Sequence, residues 1–490
     1  DMNPAEMIGK KPDNVAFGLY KFMFTDSTWN IQRGEFGYRK YKPAKLMELF
    51  NNVAYINVNH SLNSFLTRSL QADSCEKIIQ HQLEKLKENP QLHDSIEFNI
   101  SRSSYVFDTE DEFAVEYKNI ISPEEIQKWH QDLIEIDSLN KSTLEKNNET
   151  MLRAFSLLDG NFKYSKKENI KFIRDNMALP FTHHSRLGFV YFAQLNNLLR
   201  KDVITEAQKN SLLLSVKSIS TKMKSDAYQV KLGKKSLSSF LDIYGHIRAG
   251  NYNLSSSNLK NNLEFTELLV HNSEPQDENI SLQKVIFSNI DKYFELNNIP
   301  YTASAWVEMF QTAIATRENS KFYYTKGIDG ILNEIEEQNI SDEELFQRLN
   351  IKFSQENKIN LDLKNTLMPD LISSSDDFYL YEEMSKDGNY IGQGTVSGKV
   401  LLLDNYSNQP YDLDNKIVVI PAADPGWDWI FNYKIKSLIT QYGGPNSHMA
   451  IRCAEHNIPA ILGVGENNFS MISTSQSLSI DFSNESFAIV

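Results

Sequence analysis

Two patterns of apolar and polar positions divide the chain. Over residues 71–360 apolar positions recur at helical spacing, as in CEKIIQHQLEKLKEN, SPEEIQKWHQDLIEI and ENIKFIRDNM, with Lys/Glu-rich faces between them. SPEE sets a serine cap ahead of first-turn acids. HHSRLGFVYFAQLNNLL places His183, His184 and Arg186 at the head of a strongly apolar helix, and the stretch 303–335 predicts further long helix with Arg317, Glu318 and Lys321 on neighbouring turns. NYNLSSSNLKNNLEFTELLVHNSEPQDEN, 251–279, reads as a polar loop excursion. Residues 1–70 mix turns with amphipathic helix, Phe17, Tyr20, Phe24 and Trp29 falling near helical period. VAYINVNHSLNSFL alternates as a short strand would and sets Asn57, Asn59 and Asn63 in a polar ladder.

The pattern changes near the end. GTVSGKVLLLD, NKIVVIPA, KSLIT, IPAIL and SLSIDFS are β-branched runs bounded by turns. PDLISSSDDFYLYEEMSKDGNY, 369–390, is rich in Ser, Asp and Gly and reads as a linker or docking strap. The expected fold is multidomain α+β: a mainly α-helical domain over 1–368, a linker over 369–390 and a small α/β domain over 391–490.

Composition narrows the function classes. At 490 residues the chain exceeds one core. Its net charge of −14, with no Lys/Arg block, argues against nucleic acid or an anionic membrane as partner. No run of apolar residues is long enough for a transmembrane helix, and DMNPAEMIGKKPD is not a signal peptide. The two cysteines, Cys75 and Cys453, have no metal-ligand spacing, so no metal site is expected, and a reduced cytoplasmic compartment fits.

The chemistry concentrates in residues 441–463, QYGGPNSHMAIRCAEHNIPAILG. A strand leads into Gly443-Gly444, a polar turn follows, and Ser447-His448 opens an apolar-periodic segment that ends at Asn457 and Pro459. The first turn of a helix carries unpaired N–H groups and partial positive charge, so it favours an anion and disfavours imidazolium. Neutral imidazole is the form that attacks phosphorus. The glycines allow close backbone approach to a phosphate. On these residues alone, His448 is either such a nucleophile or a capped surface histidine behind a glycine turn.

The longer stretch GGPNSHMAIRCAEHNIPAILGVG resembles the phosphohistidine signature of the swivelling domain in phosphoenolpyruvate-utilising enzymes. Gly443, Gly444, Ser447, His448, Ala450, Ile451, Ile458, Pro459, Ala460 and Gly463 match it. Cys453 and Ala454 stand where the pattern has Ala-Arg; Arg452 precedes the pair. The resemblance runs from Gly392 to the end. It implies that His448 carries the phosphoryl group and that Gly443, Gly444 and Ser447 surround it. PAADPGWDWIF resembles a neighbouring segment of the same family; Asp424 there would orient His448, contact phosphate or cap the following helix.

A second resemblance covers much of residues 1–335. DMNPAEMIG with TDSTWNIQRGEFGYR, LPFTHHSRLGF, SFLDIYGHIRAGNYNL and ATRENSKFYYT are similar to the acceptor region of dikinase-like proteins. These have the order ATP-grasp, acceptor domain, histidine domain. Rifampin-inactivating kinases share it, as does a capsular-polysaccharide group that phosphorylates the amide nitrogen of L-glutamine. The resemblance implies an ATP-dependent phosphotransferase acting on a small molecule such as glutamine. It also implies an ATP-grasp domain, which would hold the ATP and Mg²⁺, as partner of this chain. No ATP-grasp loop is evident here, so the chain as given is not expected to use ATP alone.

A zwitterionic acceptor needs an arginine for its carboxylate, an acid for its ammonium and groups that read an amide. Arg33, Arg39, Arg186, Arg248 and Arg317 are the candidate anion binders, and Glu6, Glu35 and Glu318 the candidate acids. Asn59 and Asn63 are candidate amide readers, and His184 and His246 acid–base candidates. For each, the competing reading is a buried ion pair or a helix cap. A phosphocarrier that relays phosphate to another protein is the alternative function.

Overall fold

The computed structural model describes residues 4–40, 45–93, 95–158, 166–248, 250–254, 256–275, 282–349, 368–378, 388–403, 412–444 and 447–490, with Pro425, His448 and Glu455 as backbone only. The opening residues of the DMNPAEMIG motif and part of the expected linker therefore lie outside the described residues. The helical body is built on three long helices, Pro123–Leu157, Leu179–Arg200 and Ala303–Gln338, which pack on one another. Each has a capping or N-terminal signal: Ser122 accepts from Glu125 N, Thr302 accepts from Ala305 N, and Pro180 lies in the first turn of the second. Trp129, Tyr191, Trp306 and Phe310 anchor one apolar core. Phe17, Met23, Phe24, Met177, Tyr324 and Ile328 anchor a second.

The body also contains a short hairpin, β1 (Met47–Phe50) and β2 (Val53–Ile56). Here the expected strand stops early. Asn57 is the cap of a helix, Val58–Asn63, and accepts from His60 N at 3.0 Å. Asn59 and Asn63 are thus one helical turn apart rather than on a strand, and they bond each other. The 251–279 stretch also departs from a plain loop, since Leu263–His271 is a helix capped by Asn262.

The C-terminal domain is a seven-stranded mixed sheet. Its strands are β3 (Asn389–Ile391), β4 (Thr395–Leu402), β5 (Ile417–Ala422), β6 (Ser437–Tyr442), β7 (Ala460–Leu462), β8 (Ser477–Asp481) and β9 (Ser486–Ile489), in the order β3-β7-β6-β5-β4-β8-β9. β4, β5, β6 and β7 run parallel; the outer pairings are antiparallel. Strand alternation sorts the side chains. Ile417, Val419, Ile439 and Ile461 fill the core on one face. Val418, Ile420, Leu438 and Leu462 face the other way and join a core that includes Met223, Phe240, Tyr244, Phe265 and Phe322 of the helical body.

That shared core means the C-terminal domain is docked on the body. Polar contacts reinforce it. Lys224 donates to Phe431 O at 3.0 Å, and Lys10 lies 3.1 Å from Asp370 and 3.5 Å from Glu466. The first part of the strap is held too, because Tyr55 donates to Pro369 O and Phe378 stacks edge-on against Phe50. No helix of the described residues is long and apolar enough to cross a membrane.

Candidate functional site

The His448 helix starts where the parallel strands end. β5 and β6 finish side by side, and Ala423 N donates to Tyr442 O at 2.9 Å. Gly443 then takes φ of +140°, and a Cβ there would lie 2.5 Å from the Cβ of Ala423. The helix His448–Glu455 follows, capped by Ser447, whose Oγ accepts from Ala450 N at 3.2 Å. His448 is its first residue, so its backbone stands at the positive end of the helix dipole.

One side of this helix, Met449, Ala450 and Cys453, is buried in the core shared with the body. Ile451 and Ala454 instead pack into the first body core, against which the Glu206–Leu214 helix lies. Both members of the Cys453-Ala454 pair are therefore packing residues here. A long cation at 454 would have to enter an apolar contact. Arg452 is buried, with Nε 3.6 Å from Asp428 Oδ2 and its guanidinium over the Phe431 ring.

A small cavity of ≈ 50 Å³ opens between the two domains. Ser220, Asn251, Glu318, Lys321 and Thr325 line it from the body, and Gly426, Asp428 and Trp429 from the C-terminal domain. Met223, Tyr244, Ile247 and Phe322 supply an apolar wall. Ser220 Oγ donates to Asp428 Oδ2 at 3.1 Å across the interface. Lys321 is buried, and burial lowers its ammonium to about 8, although Glu318, Glu6 and Asp428 pull the other way. A group poised near neutral pH inside a cavity is what acid–base or phosphoryl-charge chemistry needs. Among the described residues no group of three or more His, Cys, Asp or Glu is placed to hold a metal ion.

The expected site residues separate into four sets. Glu318 lines the cavity, and Arg317 stands 3.8 Å from it with its guanidinium over Phe189. Asp424 sits at the interface: Oδ1 caps Gly426 N at 2.6 Å, and Oδ2 accepts from Asn251 at 3.4 Å. Of its expected roles, the cap is the one its contacts make visible.

Arg248 and His246 form the second set. The Arg248 side chain is turned into the body, with Nε 2.9 Å from Asp329 and Nη2 2.9 Å from Asn333. It does not line the cavity; buried charge is matched inside the body instead. His246 pairs with Phe322 O at 3.1 Å, and burial lowers it to about 4, which keeps it neutral at pH 7.

Arg33, Arg186 and His184 are buried in a separate polar cluster. Arg186 is paired with Glu97, and its Nε is 3.1 Å from Tyr38 Oη. Arg33 reaches Gln32 at 2.9 Å and stacks over Phe65; burial, with Arg186 nearby, lowers it to about 9. Burial also lowers His184 to about 3. Glu35 bonds His183 at 2.9 Å, which holds its carboxyl below the usual range.

Arg39 and the asparagines form the fourth set. Arg39 points at Cys75 Sγ and Leu70 O, and Asn59 and Asn63 bond each other. None of Arg33, Arg39, Asn59, Asn63, His184 or Arg186 lines the cavity, because each has a local or interior partner or is enclosed in the body. Conversely, Ser220, Asn251, Lys321 and Asp428 line it without having been expected as site residues. Lys321 had a signal one helical turn beyond Arg317, and Asn251 and Asp428 fall within the family-like stretches SFLDIYGHIRAGNYNL and PAADPGWDWIF.

Comparison with known proteins finds a family match within the C-terminal domain. Residues 413–485 match the family "PEP-utilising enzyme, mobile domain". Over 166 residues, 31% of this chain, the sequence is 28% identical to a rifampicin phosphotransferase of Bacillus cereus, covering 19% of that protein. A phosphoenolpyruvate synthase of Helicobacter pylori is 32% identical over 83 residues, covering 17% of this chain and 10% of that protein. The matched region thus spans less than a fifth of either relative's length. These similarities support phosphotransfer through a histidine.

Proposed function

We propose that the chain is the acceptor and delivery part of an ATP-dependent phosphotransferase, in which His448 passes a phosphoryl group to a small polar molecule. The observation that carries this reading is the cavity built jointly by the two domains, with Lys321 buried in its wall. A carrier that handed its phosphate to another protein would need an open docking face rather than a cleft shared by its own two domains.

In the transfer step the P–N bond of phosphohistidine breaks, and its electron pair returns to the imidazole. A new bond forms from phosphorus to a nitrogen or oxygen of the acceptor, which loses one proton to a base or to water. In this reading Lys321, as ammonium, offsets charge on the moving phosphoryl group. Trp429 and Phe322 line the apolar side of the cleft.

The amide nitrogen of L-glutamine is the acceptor this reading favours. Serine, asparagine, glutamate, lysine and aspartate groups at the cavity suit a small zwitterion. ATP and Mg²⁺ belong to an ATP-grasp domain in this proposal, and no step is derived through them. The setting is cytoplasmic; Cys75 and Cys453 are free and buried.

A second reading is a rifampin-type antibiotic kinase. Met223, Tyr244, Ile247, Phe322 and Trp429 give the same cavity an apolar side that favours it. The test is ³¹P NMR of the full-length protein with ATP and either amino acids or rifampin. A phosphoramidate signal with glutamine supports the first reading; a phosphate ester of rifampin replaces it with the second.

A further inference from the structure

The acceptor cavity is not complete on the helical body. Asp428 belongs to the C-terminal domain, yet it lines the cavity opposite Glu318 and Lys321. It therefore reaches the acceptor only when the histidine domain docks.

Contacts to Oδ2 help to hold Asp428 in place. Ser220 of the body donates to it at 3.1 Å, and Arg452 Nε lies 3.6 Å away. Arg452 is on the His448 helix, one turn beyond the histidine, and its side chain is 2% exposed. The guanidinium is fixed from its other side by the Phe431 ring, 5.5 Å from the ring centre. So the helix that presents His448 also positions Asp428.

We propose that Asp428 is a specificity residue that binds an ammonium group of the acceptor, with Arg452 as its positioning residue. This rests on the acceptor reading given above and narrows it to amine-bearing molecules. An ionised carboxylate only accepts hydrogen bonds, so it selects a donor. The lining selects a cationic one: its charged residues are Glu318, Asp428 and Lys321, two acids against one base. An acceptor carrying only carboxylates would add to this excess of acids; an ammonium relieves it.

The departure from the swivelling-domain signature acquires a reason. With Ala454 packed against the body, the helix carries its arginine at 452, directed at Asp428 rather than at the apolar contact. The same domain brings both the phosphoryl group and the group that checks the acceptor. Transfer to water or to a molecule without the ammonium is disfavoured in the same docked state.

The test uses the full-length enzyme with L-glutamine and its des-amino counterpart, 4-carbamoylbutanoate, counting transfer per phosphohistidine formed. The wild type should transfer to glutamine and not to the des-amino probe. D428N should raise KM for glutamine about tenfold or more with a smaller change in kcat. D428E should recover part of that loss, and R452M should reproduce the KM effect more strongly than R452K. Equal use of both probes by the wild type overturns the assignment without any variant, and so does an unchanged KM in D428N. Transfer to neither probe overturns the acceptor reading itself, and the assignment with it.

Discussion

Gly426 in the C-terminal domain meets the carbonyl oxygen of Arg248 in the body so closely that a Cβ at 426 would lie 1.9 Å from that oxygen. Backbone oxygen cannot move aside as a flexible side chain would. Gly426→Ala should therefore oppose docking. Overpacking of this kind costs roughly 1–3 kcal/mol, which corresponds to about a 5- to 150-fold fall in the docking equilibrium constant. Acceptor transfer per phosphohistidine should fall by up to that factor. Rapid-quench measurement of the transfer step checks it, and wild-type transfer in Gly426→Ala would show that docking as seen here is not the transfer geometry.

Arg248 itself should behave as a structural residue. Its guanidinium is matched by Asp329, and Asn258 also donates to Asp329 at 3.0 Å. Arg248→Met strands a buried carboxylate, at a cost of about 3–5 kcal/mol. Denaturant unfolding of the 490-residue chain should show a loss of this size. A variant that unfolds as the wild type does but loses acceptor binding would return Arg248 to the site.

Lys321 makes a prediction in pH. Its folded value of about 8 lies below the ordinary 10.5. Between these values the unfolded chain binds more protons, so stability should rise with pH from about 8 to about 10.5. Lys321→Met should flatten that slope. The transfer step should run the other way, declining as pH rises through about 8 while the ammonium is lost. In Lys321→Met it should be slower by about tenfold or more and lack this inflection. Paired pH series of unfolding and single-turnover transfer separate the two effects.

A different titration should govern docking. His456 stacks on Phe431, and its Nε2 is 2.7 Å from the Lys224 ammonium, so the ring must accept that bond and be neutral. Burial, with Arg452 and Lys224 facing the ring, pushes it well below 6.5. Glu274, beside Lys434, is the acid that lines the same cleft, and Asp428 lies against Arg452. A released domain regains the ordinary value. Docking should then weaken about tenfold for each pH unit below roughly 6.5. Hydrogen exchange of the Ile219–Lys231 helix across pH 5 to 7 reads this, and His456→Asn should remove the dependence.

What could be read from the chain was local. Ser447 as cap, the glycine turn and the apolar period after His448 lie within a few residues of one another, and so they point to the His448 helix. The β-branched runs likewise mark β4 to β8 because alternation is a property of neighbours. The Asn57 stretch misleads for the same reason. Its alternation continues past Ile56, but a side-chain cap at His60 N competes with strand pairing and wins. The cavity between the two domains lay beyond such reading. Asn251, Lys321 and Asp428 come from distant stretches, and only docking of one domain on another brings them together. The arginines that looked like anion binders are largely matched by interior partners, which spacing along a chain does not reveal.

The central claim is that His448 carries the phosphoryl group. The most direct measurement is ³¹P NMR at alkaline pH of the full-length protein after reaction with ATP, comparing wild type with His448→Asn. The wild type should give an acid-labile phosphoramidate resonance that disappears when acceptor is added, and His448→Asn should give none while melting as the wild type does. A phosphoramidate of equal intensity in His448→Asn, or acceptor phosphorylation at the wild-type rate without it, would contradict the account.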